Sequence, residues 1–390
     1  MHYIRLLRPP AIEQKGRQQL LKVAFTITTD LGDSFLSPTA PVPICIFGIH
    51  TAKTSGLQSL VPVNLTAGRN TFWQSGSRVL KLELPLPAQP ISTIQIRPAD
   101  KTLVAFSADD ICGSVLGLIM PVYADLPGPG EEPQHVAFRS IRLASQVASF
   151  EDMVQVEEEI GESIARHIWD AGVSTVALLS SLCLRDRDLR RMGHLTSIFQ
   201  RRHPLSILEL GCGVGILGTG IAHILKSVPD SGPTYVLMTD LSEAEERARA
   251  NIARFNAQVK DAGYANVELD YENLDWEDGK TGTFGPLVGG RCWDLVVLSD
   301  CTYNVDMLPA LTQTLTAIHA SSESKREGDP LGEPLNVASV LLSMKPRHSS
   351  EDRLWGLLEA EGWRNIDGTV LPLPVLGGER QTVKMILFEK

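Results

Sequence analysis

The residues whose types and spacing could do chemistry gather in the second half of the chain. Ile207 to Gly218 reads ILELGCGVGILG. A short apolar run leads into Gly211, Gly213 and Gly215, and a helical pattern follows. Glycines let a backbone turn tightly and approach a ligand closely, and the helix behind them begins with free N–H groups. Gly213-x-Gly215-x-x-Gly218 matches the dinucleotide fingerprint, which seats a pyrophosphate on a helix N-terminus. Acid-x-Gly-x-Gly-x-Gly, with Glu209 as the acid, matches a loop for S-adenosylmethionine. Glycine spacing alone does not choose, because any βα turn can use a few glycines. The flanks do. A carboxylate beside a pyrophosphate repels it, but suits a ligand carrying an ammonium and a sulfonium.

The elements that must position this loop alternate. Ser206 to Leu210 is a short apolar strand and Ile216 to Lys226 a helix. Tyr235 to Thr239 is strand, Glu243 to Val259 helix, Trp293 to Leu298 strand and Met307 to Ser321 helix. Ser339 to Ser343 is strand, Glu351 to Glu361 helix and Val383 to Phe388 a last strand. Upstream, Ile160 to Leu184 reads as mostly helical. Such alternation predicts βαβ units on a parallel sheet. Two polar, glycine-rich insertions, near Glu277 to Arg291 and Ser322 to Pro334, read as mobile surface loops.

Several ordered motifs in this half resemble a known group. They are IWDAG at Ile168 to Gly172, ILELGCGVGILG, MTDL at Met238 to Leu241 followed by Asn251-Ile252 and Asn256, LDWED at Leu274 to Asp278, and SDCTYN at Ser299 to Asn304. Together they resemble the seven-strand S-adenosylmethionine methyltransferases, and within them the protein-lysine methyltransferase family, fungal elongation-factor methyltransferases included. The resemblance covers roughly residues 160–390. Gly172 stands where the family's Trp-x-Ala-Ala-like element has its second alanine.

The resemblance implies roles for named residues. Asp240 would accept hydrogen bonds from the ribose hydroxyls, although an aspartate there can also cap a helix. Trp276 would lie against the adenine, where a flat apolar face gains area, with Asp275 positioning its loop; a core tryptophan is the alternative. Trp169, on the predicted helix with Ile164, Ile168 and Val173 as apolar neighbours, would border the methionine end, with a core tryptophan again the alternative. Glu209, Gly211, Gly213, Gly215 and Ser299 complete the expected cofactor site. Asp300 and Tyr303, the family's Asp-x-x-Tyr, follow a buried strand at the sheet edge where ligands bind in such folds. A lysine ammonium must lose its proton before it attacks in line, and a carboxylate and a phenol can orient the amine. Asp300 as a helix cap with Tyr303 packed is the competing expectation. Cys212 and Cys301 read as small packing residues, since neither has a paired base.

The first 150 residues have another character. Short β-type runs (Val23 to Thr29, Ile44 to Ile49, Val79 to Leu84, Ile91 to Ile96 and Ala137 to Leu143) are separated by proline and glycine, which predicts a mainly β domain. The expected architecture is thus α/β: a Rossmann-like doubly wound methyltransferase domain over 151–390, and a mainly β domain over 1–150 that would recognise substrate.

Composition bounds the function. The 390 residues are 43% hydrophobic with a net charge of −10, ordinary for a globular chain and adverse to binding by phosphate neutralisation. No nucleic-acid partner is expected. The main basic cluster, Arg185 to His194 with Arg201 and Arg202, reads as a solvated helix face, with a patch for an acidic stretch of a substrate protein as the alternative. His167 and His203 read as ordinary. Val115 to Val122, the most apolar stretch, is too short for a bilayer. No membrane anchor, secretory signal or zinc-like Cys/His cluster is expected, so no metal is assigned. The six scattered cysteines fit a reducing compartment. The expectation is a cytoplasmic monomer, with the nucleus left open, that transfers a methyl from S-adenosyl-L-methionine to a lysine of a protein, a translation elongation factor first. Methylation of a small-molecule nitrogen or oxygen is the second reading.

Overall fold

The computed structural model describes residues 1–54, 57–128, 130–143, 153–161, 166–185, 192–200, 204–228, 232–262, 266–327, 338–378 and 380–390. The chain divides into two compact units. One comprises Met1–Ile141, Gln155–His167 and Leu373–Arg380, the other Arg142–Val154, Ile168–Pro372 and Gln381–Lys390. The first unit thus takes in two stretches beyond residue 150, 155–167 and 373–380.

The first unit is built on β-structure. His2–Leu6, Ala11–Lys15, Gln18–Thr28, Leu80–Pro85 and Ile119–Met120 form a five-stranded sheet. A second sheet includes Val42–Thr54, Thr93–Pro98, Val122–Asp125 and Val136–Arg142. Alternate apolar residues of both sheets, among them Ile4, Val23, Phe25, Ile44, Ile46, Ile94 and Ile96, meet in one buried core, as period-2 patterning requires. Trp73 closes it, its indole N–H donating to the Leu36 carbonyl at 2.7 Å. Arg139 and Glu158, both buried, form an ion pair.

In the second unit we label strands and helices in chain order. The strands are β1 (Leu205–Leu210), β2 (Thr234–Asp240), β3 (Val267–Asn273), β4 (Leu295–Ser299), β5 (Ser339–Met344), β6 (Arg364–Leu373) and β7 (Gln381–Glu389). Their order across the sheet is β3-β2-β1-β4-β5-β7-β6. β1 to β5 run parallel, and β7 pairs antiparallel with β5. This is the Rossmann-like doubly wound sheet expected, with the last strand, β7, antiparallel to its neighbour β5. Strands β1, β2, β4 and β5 are buried almost throughout, since helices cover both faces of such a sheet. The order reverses between β1 and β4, which makes the carboxyl ends of these strands the ligand-binding edge.

The main helices are α1 (Asp170–Leu184), α2 (Gly193–Phe199), α3 (Ile216–Lys226), α4 (Ser242–Ala262), α5 (Trp276–Gly279), α6 (Pro286–Gly289), α7 (Leu308–Glu327) and α8 (Arg353–Ala360). α1 packs on α3, and α5 on α7.

Three expectations need correction. The helix read over 160–184 runs, among the described residues, from Asp170 to Leu184; Trp169, expected on it, is instead its N-cap residue, extended at φ −122° and ψ 153°. The stretch 277–291 is only partly loop. It carries α6 and the end of α5, because the Glu272 carboxylate accepts the Leu287 and Val288 N–H groups at 2.9 and 2.8 Å, a helix N-terminus satisfied from a neighbouring strand. The stretch from Ser322 continues α7 to Glu327. Most of the basic run 185–194, with Arg201, Arg202, His203 and Ile164, lies outside the described residues.

Candidate active site

β1 delivers the glycine loop to the sheet edge. Gly211, Gly213 and Gly215 have φ of 65°, 54° and 83°, the left-handed region where a side chain is strained. Gly211 also needs its lack of a Cβ: that atom would sit 2.6 Å from the Cys301 Sγ and 3.4 Å from the Trp276 ring. Glu209, 1% exposed, lies behind the loop. Its Oε2 accepts the Gly218 N–H at 2.9 Å, so it fixes the turn into α3. Burial pushes this carboxyl well above its ordinary range. From α4, the Asn251 side chain donates to the Val214 carbonyl at 2.8 Å and pins the loop from outside.

Asp240 stands at the end of β2, beside β1. Its Oδ2 accepts the Gly213 N–H at 2.7 Å and its Oδ1 the Leu241 N–H at 2.7 Å. An ionised carboxylate has about four acceptor sites, so two such bonds leave room for ligand hydroxyls. Burial raises its pKa, opposed by those two hydrogen bonds. Asp275 caps α5, accepting the Glu277 N–H at 2.9 Å. That cap starts the helix at Trp276, whose half-buried ring borders Gly211.

On the other side of β1, β4 ends at Ser299, and Asp300 follows in the left-handed conformation at φ 53°. A non-glycine residue there is uncommon. The turn aims the carboxylate back at α1: Oδ2 accepts the Ala171 N–H at 2.7 Å, and Oδ1 faces the Arg347 guanidinium at 3.3 Å. The capping geometry for Asp300 is therefore present, but Tyr303 is not packed. It is 60% exposed. Partial burial pushes the phenol's pKa up, with anionic neighbours including Asp240 and Glu243 adding to it. It is protonated at neutral pH and offers one donor and its oxygen lone pairs. Cys212 and Cys301 are buried, and burial pushes both thiols well above their ordinary value. They are inert packing residues.

The start of α1 closes this side. Gly172 approaches so near that a Cβ would lie 2.9 Å from Ile216 and 3.2 Å from the Ser299 hydroxyl, which accounts for the departure from alanine. Asp170, fully buried, pairs with the Lys345 ammonium at 2.8 Å. Lys345 and Arg347 went unnoticed in the sequence. Their signal was there: two cations placed just after an apolar strand, at the edge where a parallel sheet binds ligands.

One surface thus gathers the glycine loop, Asp240, Trp276, Ser299, Asp300 and the Trp169 end of α1. A family profile described as lysine methyltransferase matches residues 149–359. The chain belongs to the lysine methyltransferase family.

Family membership makes it an S-adenosyl-L-methionine-dependent methyltransferase. The cradle fits that cofactor: three left-handed glycines leave no side chain in its path, and Asp240 keeps acceptor capacity beside it. A UPF0665 family protein of Schizosaccharomyces pombe is 27% identical over 317 residues, 80% of this chain and 84% of its own length. The protein N-terminal and lysine N-methyltransferase EFM7 of Cryptococcus neoformans is 32% identical over 147 residues, 37% of this chain and 44% of its own. Among solved structures, M. jannaschii TYW2 in complex with AdoMet is similar at a TM-score of 0.34 and 11% identity, covering 68% of this chain and 94% of that one.

Proposed function

We propose that this lysine methyltransferase family member methylates a lysine side chain of a protein, with a translation factor as the first candidate. One observation carries the reading. Tyr303, beside the cofactor edge, is 60% exposed, so the reacting group arrives from solvent. A side chain on a macromolecule can reach such a site, whereas a small metabolite needs enclosure for orientation.

S-adenosyl-L-methionine would supply an electrophilic methyl on a positively charged sulfur. The chain's own residues position and exclude. Asp240 would hold the ribose hydroxyls, Trp276 would cover the adenine, and Trp169 would border the methionine end. The glycine loop offers backbone in place of side chains. Tyr303 accepts a hydrogen bond from the incoming amine and lines its lone pair up with the methyl carbon. Transfer would break the cofactor's carbon–sulfur bond, leave the electron pair on sulfur and place the positive charge on the methylated nitrogen. Asp300 would lie at that edge, its carboxylate held by the Ala171 N–H and Arg347.

We further propose that the β-rich unit recognises the substrate protein and that the enzyme acts as a monomer in the cytoplasm. All six cysteines are free, in keeping with a reducing compartment.

The test is chemical. The protein is incubated with tritiated S-adenosyl-L-methionine and a cell lysate, beside the same lysate with its lysine amines acetylated. The reading expects label in a protein band of the untreated lysate and none in the acetylated one. Equal label in both would refute lysine as the acceptor.

A further inference from the structure

We propose that Tyr271 is a positioning residue for Asp240: its phenol fixes the turn that sets the direction of the Asp240 carboxylate. The inference rests on the reading of Asp240 as the ribose-binding residue of a methyltransferase.

Tyr271 lies near the end of β3, the edge strand beside β2. Val267, Leu269 and Tyr271 are buried and alternate with more exposed residues, as a strand with one covered face requires. Burial pushes the Tyr271 pKa up, with anionic neighbours including Asp240 and Glu245 adding to it. The phenol is therefore protonated at neutral pH, with one proton to donate. Two acceptors share it: the Leu241 carbonyl at 2.9 Å and the Asn273 side-chain oxygen at 3.0 Å.

Leu241 is the link to the site. Its N–H donates to Asp240 Oδ1 at 2.7 Å, and its carbonyl also accepts the Ala244 N–H at 3.1 Å in the first turn of α4. The phenol thus meets the chain where β2 passes into α4. β3 grips this turn a second time, because the Asp240 carbonyl accepts the Leu274 N–H at 2.9 Å. The phenol is itself held from α4. The Arg249 guanidinium lies 5.3 Å from its ring centroid and donates to the Tyr271 carbonyl at 3.2 Å. Glu245 accepts from Arg249 at 2.8 Å and from the Asn273 amide at 2.7 Å.

The hydroxyl is not needed for packing, since phenylalanine would fill the same buried volume. Nor does α4 need it, since Leu241 keeps its bond to Ala244. What it adds is a fixed direction for Leu241 and, through the Leu241 N–H, for Asp240. A carboxylate that must meet two neighbouring hydroxyls loses them when it turns, and small misplacements at such a site are costly.

Two probes test this on the full chain by titration calorimetry: S-adenosylhomocysteine, and its 2′,3′-dideoxy analogue, which lacks both ribose hydroxyls. Tyr271→Phe should weaken S-adenosylhomocysteine at least fivefold more than it weakens the analogue. In an Asp240→Asn background the same substitution should change S-adenosylhomocysteine affinity less than twofold. A merely structural role would weaken both probes together and add to the effect of Asp240→Asn. A smaller difference between the probes, or an undiminished effect in the Asp240→Asn background, overturns the proposal. If Tyr271→Phe does not fold, Asn273→Ala, which releases the phenol from Glu245, decides by the same comparison. Wild-type protein that binds both probes equally would overturn the ribose role of Asp240, and this proposal with it. Wild-type protein that binds neither would overturn the methyltransferase reading itself.

Discussion

The Asp240 carboxylate and the Gly213 amide are bonded at 2.7 Å across 27 residues of sequence. β2 thereby fixes the loop that β1 delivers, so the residue expected to bind ribose also shapes the backbone cradle. Asp240→Ala removes both functions. Hydrogen bonds to a charged group are worth about 1.5–3 kcal/mol, so S-adenosylhomocysteine should bind at least tenfold more weakly by calorimetry. An unchanged dissociation constant would remove Asp240 from the site.

Glu209 makes a pH prediction. Burial raises its pKa in the folded protein above its ordinary 4.5. The native state therefore binds a proton more readily than the unfolded chain, and stability falls as pH rises from 4.5 towards the raised value. Glu209→Gln keeps an acceptor for the Gly218 N–H and removes the charge. The variant should melt higher than wild type at pH 8, with the gap narrowing towards pH 5. A gap independent of pH would show that the native carboxyl titrates normally.

Much of this site was legible in sequence, and the reasons are local. The glycine loop, α3 and the strands around it follow from runs such as ILEL, whose continuous apolar character reports burial on both faces. Less legible was anything set by tertiary contact. β3 reads VELDYEN, an edge strand with polar residues, and β6 reads RNIDGTVLPL, so neither shows an apolar run. α6 exists because a distant Glu272 caps it. Trp169 lies outside its helix because Asp300, 131 residues later, satisfies the first turn. The β-rich unit showed its class but not its pairing, which joins strands such as His2–Leu6 and Ile119–Met120 across the chain.

The Asp170–Lys345 pair is buried on both sides. Removing one partner takes from the other its buried ion pair, at a cost of about 3–5 kcal/mol. Lys345→Met should lower the melting temperature strongly, and Asp170→Asn combined with Lys345→Met should cost less than the sum of the two singles. Additive losses would show that the two charges do not act together.

Gly172→Ala places a methyl 2.9 Å from Ile216. Overpacking of this kind costs about 1–3 kcal/mol, and the strain falls between α1 and the glycine-loop helix. Both thermal stability and S-adenosylhomocysteine affinity should drop. A variant equal to wild type in both would show that α1 can shift freely.

The account turns on Tyr303 serving an incoming protein lysine. Its exposure means that Tyr303→Phe should leave stability within about 0.5 kcal/mol of wild type. The decisive measurement incubates wild-type and Tyr303→Phe proteins with tritiated S-adenosyl-L-methionine and size-fractionated lysate, then maps the label by mass spectrometry. The account predicts methyl-lysine in a discrete protein band with wild type and at least tenfold less with the equally stable variant. Label confined to the small-molecule fraction, or equal methyl-lysine from both proteins, would contradict it.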